Sequence, residues 1–457
     1  MNSKDMVFGN PGKSLFLFAL PIIFGNLFQQ FYNMIDSIVV GRYVGEEALA
    51  AVGASYSFTT VFIMVAIGGG LGVSVLTSQY LGAGRYGRMK TSIYTSLFTF
   101  LGLSILLAVI GFAVNPTILA LLRTPGNIID SAVLYLQIYF CGLPFLFMYN
   151  VLSATFNALG RSKIPLFLLL FSSVLNVILD LVFVCMFHWG VAGVAVATVI
   201  AQGVSAVAAF VILMRLINRY QVPEDDRVSL YDKNMLWSST KIAIPSIIQQ
   251  SIVSIGLLLV QSAVNRFGSS VLAGYSAAAR VESICIVPMI ATGNAVSTFT
   301  AQNLGAGQPE RVKRGYRLSF GMIAGFAVLI CIVVNLFGRN IIAMFMEGAQ
   351  SGDAFETGTA YLQFISFFVI LLGSKAATDG VLRGAGDVGV YMVSNLVNLG
   401  IRVFVANYFA PRWGVQAVWF AEPMGWGMNF LISFMWYMTG RWQRKNLTKS
   451  TEQNKTA

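Results

Sequence analysis

The sequence predicts an all-α polytopic membrane protein: twelve transmembrane helices in two parallel six-helix repeat lobes. Three observations carry that prediction. First, hydrophobic residues make up 56% of the 457-residue chain and charged ones only 11%, against roughly 25% charged in an average soluble domain. Second, apolar stretches of about 20 residues or more, the length that spans a bilayer, recur twelve times. Third, the segment TSQYLGAGRYGRMK, Thr77 to Lys90, returns 223 positions later as TAQNLGAGQPERVK, Thr300 to Lys313, with eight identical positions.

The predicted spans lie near 15–40, 48–76, 93–114, 130–152, 165–187 and 193–217, then near 239–264, 270–298, 317–338, 357–382, 390–411 and 413–439. The long polar connector Asn218–Ser238, which contains PEDDR, divides the two sets. This gives an N-lobe (1–217), a connector (218–238), a C-lobe (239–440) and a tail (441–457). Further echoes fix the register. Ala19-Leu20-Pro21 returns as Ala243-Ile244-Pro245, Tyr135-Leu136-Gln137 as Tyr361-Leu362-Gln363, and Trp189-Gly190-Val191 as Trp413-Gly414-Val415. Six helices bring the chain back to its starting side, so the two halves share one orientation. Duplicated halves of this kind are a common transporter architecture, with the substrate path between repeats.

The net charge of +11 does not point to nucleic acid, because the charges fall in short clusters between apolar spans. With both termini in the cytoplasm, inner loops and tails hold about twenty-two Lys and Arg; the outer loops hold Arg42, Arg123, Arg266, Arg339 and Arg412. That asymmetry is the positive-inside pattern. It predicts an inner-membrane protein with both LGAG loops facing the cytosol. The apolar run from Leu15 to Val40 is too long for a cleaved signal h-region and reads as the first span. Cys141, Cys185, Cys285 and Cys331 lie far apart inside apolar runs, without metal or disulfide spacing. The single histidine, His188, precedes Trp189 at an expected outer interface, as in an aromatic belt. The LGAG loops read as tight turns, since a phosphate cradle needs a preceding strand and a GKS/T-like ending.

Ionisable groups inside spans are costly and mark functional sites. Lys375 and Asp379 stand one helical turn apart and predict a structural pair. Arg280 and Glu282 are expected near a span end, where snorkelling is cheap. Asp36 and Asp180 differ, because neither has a basic neighbour along its own helix. Asp36 extends a polar stripe of Gln29, Tyr32 and Asn33 at helical spacing. Asn176 and Asp180 share a face of span five, as Thr198 and Gln202 share one of span six. Lipid cannot satisfy three polar stripes, so they must face inward.

Two chemistries fit such a cluster. Carboxylate, amide and hydroxyl oxygens suit a hard cation such as Na+. Alternatively, two close carboxylates resist joint ionisation and one becomes a proton carrier. The repeat adds a contrast: Asp36 corresponds to Val260 and Thr198 to Glu422, and with Ser172 matched to Ser394, Asn176 falls on Asn398 and Asp180 on Arg402. Arg402 and Glu422 are expected to neutralise one another as a C-lobe charge pair, leaving coupling to the first half. Pro21 and Pro245 occupy matching positions in spans one and seven and permit a bend there.

At this point the chain resembles the multidrug and toxic-compound extrusion (MATE) family. The matching strings are MIDSIVVGRYVGEEALAAVGAS (Met34–Ser55), the two LGAG loops, FNALGRSK (Phe156–Lys163) and VLRGAGD (Val381–Asp387). The resemblance implies twelve helices in two lobes and cation-coupled efflux of amphipathic, often cationic, organic compounds. Its N-lobe cation site would fall on Asp36, Asn176, Asp180 and Thr198. Gln29, Tyr32, Asn33, Asn157 and Gln202 are candidates to line a substrate cleft. Another branch of the family uses an acid on span seven, and this chain has none between Lys241 and Arg266. No enzymatic activity and no cofactor beyond the coupling ion, H+ or Na+, is expected. The expected partners are small organic substrates and the bilayer, with no nucleic acid and a monomeric chain. The nearest rival is a lipid-linked oligosaccharide or lipid flippase of the same superfamily, whose anionic substrate would favour more in-span cations.

Overall fold

The computed structural model describes residues 4–122, 124–224, 226–345 and 352–445. Arg123 and most of the predicted tail lie outside these. Among the described residues there is no strand, and the long helices are α1 (Pro11–Val39), α2 (Glu46–Gly82), α3 (Tyr86–Leu121), α4 (Ile129–Ala158), α5 (Lys163–Leu181), α6 (Gly190–Ile217), α7 (Lys233–Val264), α8 (Ser269–Cys285), α9 (Val287–Gly305), α10 (Pro309–Ala343), α11 (Asp353–Ala385), α12 (Val388–Tyr408) and α13 (Val415–Met438). α8 and α9 meet at Ile286, with a proline in the first turn of α9. Together they form one predicted span, so twelve spans result. Most helices outrun the apolar stretch that announced them: hydropathy marks the hydrocarbon core, while the helix continues into the polar interface. Among the described residues, ten stretches are apolar and long enough to cross a bilayer by composition alone. α13, which carries Glu422 and Asn429, is not among them.

The chain forms two compact units, one from Phe24 to Ile247, the other from the chain up to Ile23 and from Ile248 onward. The expected lobes followed the sequence repeat; the compact units follow packing, and each takes the opening turns of the other repeat's first helix. The boundaries fall two residues beyond Pro21 in α1 and two beyond Pro245 in α7. In unit 1 α4 packs against α2, α3 and α6; in unit 2 its repeat counterpart α11 packs against α8, α9, α10 and α13. Close approach at this hub depends on glycine. A Cβ on Gly358 of α11 would stand 2.7 Å from the carbonyl oxygen of Gly274 on α8.

Both LGAG loops are tight turns. Gly84 and Gly307 adopt φ of 71° and 70°, the left-handed region that favours glycine. Arg85 N–H closes back on Tyr80 O at 3.1 Å, and Gln308 N–H on Asn303 O at 2.8 Å, which satisfies helix-end carbonyls. Each turn also holds a leader segment. In unit 1 the connector carboxylate of Asp226 accepts from Gly87 N–H at 2.6 Å, and Arg88 reaches Asp232 at 3.4 Å. In unit 2 Arg311, the repeat partner of Arg88, donates to Gly9 O at 2.7 Å and Phe8 O at 2.9 Å.

Candidate functional site

The polar stripes of α1, α5 and α6 converge in unit 1. Asp180 and Asn176 are buried, at 0% and 1% exposure, and Asp36, Tyr32 and Thr198 are half-buried. Hydrogen bonding sets the orientation of the Asn176 amide. Its Nδ2 donates to Asp180 Oδ2 at 3.1 Å and to the Tyr32 hydroxyl at 2.5 Å, while its oxygen accepts from Thr198 N–H at 3.1 Å. The Thr198 hydroxyl donates to Val194 O at 3.0 Å. The carboxyls of Asp36 and Asp180 face each other. One oxygen of each, Oδ1, is buried and has no partner.

Among the described residues neither acid forms an ion pair. A carboxyl pair with spare oxygens and no base beside it can bind a proton or a small hard cation. The helix ends frame it. α1 and α5 both finish in π-helical turns, Val40–Val44 and Val182–Met186, just past Asp36 and Asp180. Val40 and Val184 from those turns pack with Ala48 and Val194 in one apolar cluster, a dry neighbour to the acids.

Not every candidate joins this cluster. Gln29 and Asn33 bond to each other along α1, Nε2 to Oδ1 at 3.0 Å. Gln202 stands one turn beyond Thr198 on α6 and is half-buried. Asn157 lies near the end of α4, about six helical turns from Tyr135, the α4 residue that stands beside the acids. Sequence reasoning missed Tyr135, whose hydroxyl interacts electrostatically with both Asp36 and Asp180. Its echo in Tyr361 served only to align the halves, although a tyrosine kept in both copies was a usable signal.

In unit 2, Arg402 Nη2 donates to Glu422 Oε1 at 2.5 Å, so the expected charge pair is in contact. Lys375 and Asp379 pair at 3.3 Å, and Ser433 and Asn395 also donate to Asp379. Glu282 departs from expectation. It is 7% exposed and accepts from the Tyr361 hydroxyl at 2.7 Å, instead of snorkelling from a span end. The reason is that Glu282 lies well inside the span Ser269–Gly305 and turns toward α11, against which α8 packs. Arg280 remains exposed.

A duplicated helical bundle with polar side chains gathered inside each unit defines a multi-pass membrane transporter. The chain belongs to the MatE family, whose profile matches twice, over residues 21–182 and 245–409, one match per repeat. It is 32% identical to the probable multidrug resistance protein YpnP of Bacillus subtilis, covering 98% of this chain and 99% of the relative. It is 29% identical to the probable multidrug resistance protein YoeA of the same organism, covering 96% and 95%. In fold it is similar to the outward-facing conformation of a multidrug resistance MATE family transporter of the MOP superfamily. That match has a TM-score of 0.87 and 21% identity, and covers 95% of this chain and 97% of that one.

Proposed function

We propose that this chain is a cation-coupled antiporter that exports small amphipathic, often cationic, organic compounds across the cytoplasmic membrane by alternating access. The observation that carries the reading is the Asp36–Asp180 carboxyl pair, which takes a hydrogen bond from Asn176, itself bonded to the Tyr32 hydroxyl, and has no basic partner among the described residues. Inward-moving H+ or Na+ would neutralise the pair, and the conformation that best stabilises the new charge state would gain population. Pro21 on α1, 15 residues before Asp36, leaves a backbone carbonyl without its helical partner and lets α1 bend. Each unit charge crossing about 100 mV supplies about 2.3 kcal/mol, which bounds the work per ion. The names of the relatives support organic substrates, and the Lys/Arg asymmetry supports cytoplasmic termini.

The test is purified protein in liposomes with a fluorescent cationic dye, driven by an imposed proton or sodium gradient. Dye should move against its own gradient under one of the two. Movement under neither would remove the efflux reading; transfer of a labelled lipid between leaflets instead would favour the flippase alternative.

A further inference from the structure

Unit 2 contains a buried cluster that the efflux reading leaves unused. Arg402 on α12 bonds Glu422 on α13. Glu282 on α8 faces the same Glu422 carboxyl and accepts from Tyr361 on α11 at 2.7 Å. The Tyr275 ring of α8 stands 4.9 Å from that of Tyr361. These are the charged and titratable groups facing the pair from the four helices, together with the Cys285 thiol three residues beyond Glu282. Glu282, Arg402 and Glu422 are 7%, 6% and 4% exposed.

One guanidinium thus faces two carboxyls. With both ionised the cluster would hold an uncompensated charge in a dry interior, which is expensive. One proton shared by the pair makes the cluster neutral. The surroundings hold unused polar capacity. Arg402 Nε and Trp419 Nε1 are buried donors without partners, and Asn398 Oδ1 is a buried acceptor without one. Trp419 packs on the Tyr361 ring at 5.8 Å, and Asn398 precedes Arg402 by one turn. Arg402 Nε is therefore free to bond whichever carboxylate is exposed when the proton leaves.

The repeat gives the cluster a lineage. Arg402, Asn398, Tyr361 and Glu422 occupy the positions of Asp180, Asn176, Tyr135 and Thr198. At the 223-residue offset Glu282 occupies that of Thr59. The second copy has rebuilt a carboxyl pair on different helices and added a base.

We propose that Glu282, Glu422 and Arg402 form a second ion site, in unit 2, whose ligand is one exchangeable proton shared between the two glutamates. The guanidinium fills the position of a counter-cation, so the site takes a proton and not Na+. This goes beyond the efflux reading and does not depend on it, because the unit 1 acids play no part.

The test is infrared spectroscopy of the purified full chain carrying Asp36→Asn and Asp180→Asn, which silence the unit 1 pair. A protonated-carboxyl C=O band that shifts on exchange into D2O is expected. Adding Glu282→Gln, or separately Glu422→Gln, leaves one carboxylate for one guanidinium and should abolish the band. Adding Arg402→Gln removes the base and should strengthen it. The opposite signs separate a proton site from general structural damage, and either glutamine variant serves if the other does not fold. Absence of the band in the Asp36→Asn/Asp180→Asn background, or its survival in the folded glutamine variants, overturns the proposal while leaving the dye test intact.

Discussion

Asp36 faces its partner acid across α1 and α5, whereas Val260, its counterpart, is a buried apolar residue. That difference between equivalent positions predicts unequal mutants. Asp36→Asn or Asp180→Asn should cut gradient-driven dye movement by about tenfold or more, the scale of 1.4 kcal/mol. Dye movement that survives Asp36→Asn yet disappears in Glu422→Gln would reverse the assignment of coupling to unit 1. Tyr32→Phe should have a smaller effect, because the Asn176–Asp180 bond at 3.1 Å would remain while one hydrogen bond of about 1 kcal/mol is lost.

At the scale of elements, the connector is structural as well as a link. The first turn of α3 lacks a capping side chain of its own at Arg85. Asp226 supplies the missing acceptor from the connector, taking Gly87 N–H at 2.6 Å, and Thr91 and Thr95 accept from Ser229 N–H and Asp232 N–H at 2.9 and 3.0 Å. Asp226→Ala should therefore cost about 1 kcal/mol, as the loss of a helix cap does. Thermal unfolding of the purified protein reads this directly. An unchanged Tm would mean that the Asp226 cap adds nothing to the stability of α3. None of this was legible in PEDDR, because a cap supplied from 139 positions away leaves no local spacing in the sequence.

For the whole molecule, the repeat and the charge asymmetry predict sidedness. In a background with the four native cysteines replaced, Gln308→Cys in the second LGAG loop should label with a membrane-impermeant thiol reagent only from the cytoplasmic side. Arg412→Cys should label only from outside. The reverse pattern would invert the topology while leaving the helix count untouched.

Apolar length and the repeat were enough to predict twelve spans and their parallel duplication, and polar stripes at helical spacing the convergence of Asp36, Asn176, Asp180 and Thr198. Each rests on a periodicity or offset that is local or linear in the chain. The Gly84 and Gly307 turns were legible for the same reason, since a left-handed residue at a helix end calls for glycine. What only the tertiary structure decided involves side chains brought together from separate helices. Tyr135 stands beside the acids although it lies about 100 positions from Asp36. Glu282, expected at a span end, makes the Arg402–Glu422 pair a three-membered cluster. α1 and α7 each begin in the opposite compact unit from the one in which they end. Such outcomes depend on which helix faces pack against which, and a sequence pattern fixes the face of a helix without naming its partner.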